Sequence, residues 1–111
     1  HSFPTRRSSD LLSFKMAELE IKIEQAKYLL YKAACDKDSG KPYTKSAAKA
    51  KYACTNAAME VTTEAVQMLG GNGYMKDYNV ERMMRDAKIT QIYEGTNEIQ
   101  KLVVSGGMFK A

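Results

Sequence analysis

The chain has 111 residues and a net charge of +4, with seventeen basic side chains against thirteen acidic ones and one histidine. That excess is too slight for a nucleic-acid footprint, and no stretch reaches the roughly 18 to 20 consecutive apolar residues that a membrane-spanning helix needs. Cys35 and Cys54 stand far apart with no CxxC motif and no clustered histidines, so the sequence encodes no metal centre and the two read as reduced core thiols. With no charged segment leading into an apolar one at the N-terminus, a cytoplasmic protein is expected.

The first eleven residues, HSFPTRRSSDL, read codon by codon as a translated sequencing-adapter oligonucleotide. Residues 1–11 are therefore set aside as an artefactual, disordered leader, which removes Arg6, Arg7 and Asp10 and changes the net charge by only one. Residues 12–111 remain as one incomplete domain.

From Leu12 to about Asp36, Leu12, Met16, Leu19, Ile23, Ala26, Leu30 and Ala33 recur at three- and four-residue spacing, which predicts a long amphipathic helix. Phe14, Ile21, Tyr28 and Leu29 form a second apolar stripe and predict burial on more than one side. Gly40 and Pro42 end the pattern and imply a tight reversal. Thr44 is expected to cap a second helix that runs to Leu69 and stops at Gly70-Gly71. Its inner face is read as Ala47, Ala50, Cys54, Ala57, Ala58, Val61 and Ala65, small residues that permit close approach and place this helix centrally.

A loop follows over residues 72–78, and Asn79 is expected to cap a third helix through Ile92. Arg82 and Arg85 are read as partners for acids on neighbouring helices. The last helix starts at Thr96 and is predicted to bury Ile99, Leu102 and Val103, then to fray beyond Val104, because Gly106 and Gly107 each cost about 1 kcal/mol relative to Ala inside a helix. The seven methionines fit core filling. Four helices with short connections and no alternating strand pattern predict an all-α fold, an antiparallel four-helix bundle.

The break between the third and fourth helices carries the most information. Gly95 frees the backbone, Thr96 caps the next helix with Glu98 in its first turn, and Glu94 becomes a carboxylate held in a short turn where it can face a cleft. A lone acid beside a glycine is ordinarily a solvated loop carboxylate. Here the whole string RDAKITQIYEGTNEIQ, Arg85 to Gln100, resembles the C-terminal signature of the acyl-CoA dehydrogenases, and Gln67-Met68-Leu69-Gly70-Gly71-Asn72-Gly73-Tyr74 resembles a second family segment. The resemblance runs from about Leu12 to Lys110.

What the resemblance implies is specific. The chain would be the C-terminal part of a larger FAD enzyme that desaturates a short- or medium-chain acyl-CoA thioester between Cα and Cβ, with Glu94 as the catalytic base. Gly95 would lie against the substrate, and the Glu94 N–H would polarise the thioester carbonyl. Gln67, Met68, Leu69, Gly70 and Gly71 would contact the FAD of a neighbouring subunit, and Thr96, Asn97 and Glu98 would contact FAD at a helix start whose N–H groups attract anionic oxygens. A homotetramer and an electron-transfer flavoprotein as acceptor are further expectations. The family commonly has Ala-Arg-Glu where this chain has Ser105-Gly106-Gly107, so no substrate role passes to Gly106. Two other readings stand beside this one: an acyl-CoA oxidase, and a non-catalytic assembly module in which Glu94 is idle.

Overall fold

The computed structural model describes residues 8–70 and 79–108, with side chains from residue 10. Four helices occupy them: α1 over Ser8–Asp38, α2 over Thr44–Leu69, α3 over Val80–Thr90 and α4 over Asn97–Met108. There is no strand among the described residues. The predicted all-α class and helix order are observed.

The α1–α2 corner is built by Gly40. Its φ of +76° lets α1 close with the Lys41 N–H on the Asp36 carbonyl at 2.9 Å and the Gly40 N–H on the Lys37 carbonyl at 3.2 Å, the paired bonds of a Schellman motif. The chain then reverses, and α2 runs antiparallel to α1. Lys15 and Lys22 pair with Glu64 and Glu60 at 3.6 and 2.6 Å, and near the corner Ser46 Oγ donates to Asp36 at 2.6 Å. Leu19, Ala26 and Ala33, seven residues apart, are the buried apolar positions of α1.

That stripe is narrower than predicted. Met16, Ile23 and Leu30 are exposed, as are Phe14, Ile21 and Tyr28 of the second stripe. The reason is topological: among the described residues α1 packs on α2 alone, whereas α2 also contacts both α3 and α4. The radius of gyration of 17.5 Å exceeds the roughly 13 Å of a compact chain of this size, in keeping with a long helix attached along one face.

Lys45 of α2 packs on Gly107, Tyr52 lies under the Lys101 ammonium, Thr55 meets Asn97 and Asn56 meets Gln91. The two short helices therefore lie in tandem along α2, α4 on its first half and α3 on its second. The turn between them falls at the midpoint of α2, so fold topology alone delivers residues 91–96 to the centre of the domain.

Several local expectations change. Helix α1 includes Ser8 to Leu11, which fall inside the segment read as a disordered leader, since adding residues to an existing helix is inexpensive compared with nucleating one; residues 1–7 lie outside the described residues. Tyr43, not Thr44, is the N-cap of α2, and neither it nor Asn79, whose φ is +60°, makes a side-chain cap bond. Ala47 and Ala58 are exposed, while Ala48, Ala50 and Thr55 are the buried residues of α2. Helix α4 continues to Met108, since Gly107 lets the stem of Lys45 approach to where a Cβ would lie 3.2 Å from its Cδ. No residue of α4 is buried, and Ile99 and Leu102, expected in the core, are exposed. Cys35 is exposed and Cys54 half-buried. Met16, Met68, Met83 and Met108 are exposed rather than core filling, and Met75 lies outside the described residues.

Candidate active site

Glu94 and Gly95 are two consecutive residues with left-handed backbone, φ +58° and +95°. For a residue with a Cβ this conformation costs roughly 1 to 2 kcal/mol, and it persists only where surrounding structure over-determines it. Here the surroundings are a polar latch. The Asn97 N–H reaches back to the Gln91 carbonyl at 3.0 Å and closes the turn. Asn56 Oδ1, on α2, accepts from Gln91 Nε2 at 2.6 Å and from Asn97 Nδ2 at 2.8 Å, so one oxygen ties the end of α3 to the start of α4. Thr55, buried beside it, bonds Asn97 as well.

The Gly95 carbonyl accepts from Lys51 Nζ and, at 3.3 Å, from Gln100 Nε2. A Cβ on Gly95 would stand 2.8 Å from that amide nitrogen, so the turn demands glycine both for its φ and for the space.

The latch leaves the Glu94 side chain exposed, flanked by exposed Ile92 and Tyr93 and with no ion-pair partner among the described residues. An unpaired carboxylate on a rigid backbone, among apolar side chains that another surface can cover, is suited to accept a proton. Glu98 is arranged differently. It pairs with Lys101 at 3.1 Å, which raises the Lys101 pKa chiefly through that hydrogen bond. Thr96 caps α4 as expected, accepting the Ile99 N–H at 3.3 Å. Beside this helix start lies an open groove of about 390 Å³ whose lining includes Thr96, Asn97, Glu98, Lys88, Lys101 and Tyr52, but not Glu94.

The other predicted segment is not brought to this place. Gln67, Met68, Leu69 and Gly70 are exposed at the far end of α2, twelve residues beyond Thr55 and so about 18 Å along the helix axis, and Gly71 lies outside the described residues. Arg85 pairs with Glu81 of its own helix at 3.9 Å instead of with a neighbouring helix, and Arg82 is exposed. Sequence reasoning missed Lys51, Thr55, Asn56, Gln91 and Gln100. The signal for two of them was present: Thr55-Asn56 interrupts an otherwise small and apolar run at the middle of α2.

Among the described residues no group of His, Cys, Asp and Glu could hold a metal ion, and no helix is long and apolar enough to cross a membrane. Residues 6–109 match the family model for the acyl-CoA dehydrogenase C-terminal domain. The chain is 62% identical over 99 residues to a short-chain specific acyl-CoA dehydrogenase of Clostridium acetobutylicum, covering 89% of this chain and 26% of that one. The solved butyryl-CoA dehydrogenase of Megasphaera elsdenii superposes with a TM-score of 0.89 at 54% identity, covering 93% of this chain and 27% of the other. A chain solved in work on the electron transferring flavoprotein of Acidaminococcus fermentans gives 0.89 at 53% identity, covering 92% and 27%. The chain thus spans about a quarter of the length of these relatives, and on these matches it belongs to the acyl-CoA dehydrogenase family, as its C-terminal helical domain.

Proposed function

We propose that the chain is the base-bearing part of a larger FAD-dependent dehydrogenase acting on short acyl-CoA thioesters. The observation that carries this reading is the Glu94 turn: an unpaired, exposed carboxylate on left-handed backbone, latched to the midpoint of α2. The short-chain names of the relatives support the substrate class.

In the reaction, the Glu94 carboxylate takes the Cα proton of the thioester, and the exposed apolar side chains of Ile92 and Tyr93 beside it in the chain offer a surface that the rest of the subunit would cover. Bound FAD supplies the acceptor for the hydride that leaves Cβ, so that Cα and Cβ end joined by a double bond. In this reading the Glu94 N–H would polarise the thioester carbonyl while charge develops on it. The residues that fit FAD are at the start of α4. No protein atom takes the Glu98 N–H among the described residues, and Lys88 and Lys101 line the adjoining groove, a setting suited to anionic phosphate oxygens. Gln67 to Gly70 lie too far along α2 to serve that groove, which agrees with their contacting the cofactor of another subunit.

The exposed apolar faces of α1 and α4 support burial against the rest of the subunit and other copies in a homotetramer. The relative from work on the Acidaminococcus fermentans flavoprotein supports an electron-transfer flavoprotein as acceptor, and the bacterial relatives support a cytoplasmic setting. The test is anaerobic mixing of the flavin-replete full-length enzyme with butyryl-CoA. Loss of the oxidised-flavin absorbance with formation of the α,β-unsaturated thioester is expected; an unchanged flavin spectrum with every short acyl-CoA contradicts the reading.

A further inference from the structure

The strained turn is held from α2 at a second point, separate from the Asn56 latch. Lys51 is half-buried in the first half of α2, one turn before Thr55, and its ammonium donates to the Gly95 carbonyl, which Gln100 Nε2 also meets from α4. Lys51 forms no ion pair among the described residues, and no acid occurs in the sequence from Lys41 to Met59. Withdrawing an ammonium from water toward a neutral acceptor is unfavourable unless the bond is well made, and a four-carbon stem on a helix surface has ample freedom to reach solvent instead. The contact is therefore a directed one.

Its target is equally specific. The Gly95 carbonyl follows the second of two left-handed residues, and two donors on it, one from α2 and one from α4, hold the Gly95–Thr96 peptide unit and with it the turn that Glu94 enters. The Gln100 amide lies so close to the Gly95 Cα that a Cβ there would meet it at 2.8 Å, which leaves the turn little room to relax on that side. Released from Lys51, the Glu94 backbone can return to the right-handed region, and its carboxylate would swing by far more than the ångström or so that proton transfer tolerates.

We propose that Lys51 is a positioning residue for the catalytic base: its ammonium, with the Gln100 amide, clasps the Gly95 carbonyl and keeps Glu94 in the left-handed conformation that presents its carboxylate. This rests on the reading of Glu94 as the base. In this role Lys51 acts through the turn, by its bond to the Gly95 carbonyl.

The test measures flavin reduction in single turnover, and substrate affinity separately, in the full-length enzyme. Lys51→Met keeps the stem and removes the donors. It is expected to slow flavin reduction by about 10- to 100-fold while flavin content and substrate Kd stay unchanged, a split that a merely stabilising residue would not produce. Lys51→Arg, which can still reach the carbonyl, should recover most of the rate. The double variant Glu94→Gln/Lys51→Met should be no slower than Glu94→Gln alone, because a residue acting through the base has nothing left to position. Wild-type flavin reduction in Lys51→Met, or losses that multiply in the double variant, overturns the proposal. Should Lys51→Met fail to retain flavin, Gln100→Met removes the second donor and is expected to slow the step by a smaller factor with the same non-additivity; a wild-type rate there overturns the proposal equally. Rapid reduction in Glu94→Gln itself would bring down the assignment of the base, whereas a slow Glu94→Gln beside a fast Lys51→Met would remove the role of Lys51 alone.

Discussion

Helix α1 and the turn between α3 and α4 are both fastened to α2, by opposite means. The 31-residue α1 meets α2 with one buried leucine, two buried alanines, two inter-helix ion pairs, the Asp36–Ser46 bond and a bond from the Cys54 thiol to the Ala26 carbonyl, and most of its large apolar side chains are exposed. The turn buries almost nothing, yet Lys51, Asn56, Gln91, Asn97 and Gln100 fix its backbone bond by bond. Small-residue contacts and exposed ion pairs hold α1 weakly, at about 0.8 kcal/mol per buried carbon and under about 1 kcal/mol per pair, and they do not dictate one geometry. Directional hydrogen bonds do. The domain uses loose attachment along α1, where further protein surface can cover it, and directional attachment at the turn that carries Glu94.

The largest expected effect concerns the outward face of α1. Tyr28 is 66% exposed and Ile21 55%, so the chain on its own should self-associate, which light scattering against concentration will reveal. A strictly monomeric, well-folded species at high concentration would remove the contrast between a loosely attached arm that needs covering and a turn held by directional bonds.

Two glycines sharpen the same contrast. Gly40 and Gly95 both have positive φ, but a Cβ meets nothing within 4 Å at Gly40 and the Gln100 amide at 2.8 Å at Gly95. Gly95→Ala should therefore lower stability in denaturant by about 1 to 2 kcal/mol or more, and Gly40→Ala by the smaller, purely conformational amount of about 1 kcal/mol. Equal losses would mean that the Gln100 amide moves aside freely and that the turn is not held tightly.

A smaller effect belongs to the α1–α2 corner. The hydrogen bond from Ser46, followed by that from Lys32, holds the Asp36 carboxyl below its ordinary pKa of 3.8. The unfolded chain then takes up this proton first as acid is added, so the stabilisation is complete above pH 3.8 and is lost as pH falls through the lower folded value. Urea unfolding followed down the acid range should show Asp36→Asn losing stability less steeply than the parent chain; parallel curves would remove Asp36 from the account of this corner. The smallest effect is expected at the N-terminus. Asp10 and Leu11 are exposed and precede the first inter-helix pair at Lys15, so deletion of residues 1–11 should shift stability by under about 0.5 kcal/mol, and a clear loss in thermal unfolding would show that the segment packs.

Helix order was legible in the sequence because punctuation is local. Gly40, Pro42, Gly70 and Gly95 interrupt periodic segments at places where positive φ or a missing N–H requires it. Burial was less legible. Ile99 and Leu102 have the spacing of a buried stripe, and periodicity marks a face as apolar without saying whether this chain holds what covers it. The continuation of α4 through both glycines to Met108 brings Gly107 against the Lys45 stem, a contact across sixty-two positions that no local propensity encodes. Glu94 was recognisable through its motif, but its left-handed backbone and the latch were not. Asn56 and Gln91 are 35 residues apart and read as ordinary solvated positions until tandem packing of α3 and α4 sets them face to face.

The central claim is that the latched turn exists to aim Glu94 as a base, and single-turnover flavin reduction in the full-length enzyme tests it most directly. Glu94→Gln preserves size and hydrogen bonding but cannot accept a proton, so short acyl-CoA should still bind while flavin reduction falls by at least about 100-fold. Glu98→Gln, one turn into α4 and paired with Lys101, should leave that step largely intact and weaken flavin binding instead. Near-normal flavin reduction by Glu94→Gln, or a collapse confined to Glu98→Gln, would place the base elsewhere and contradict the account.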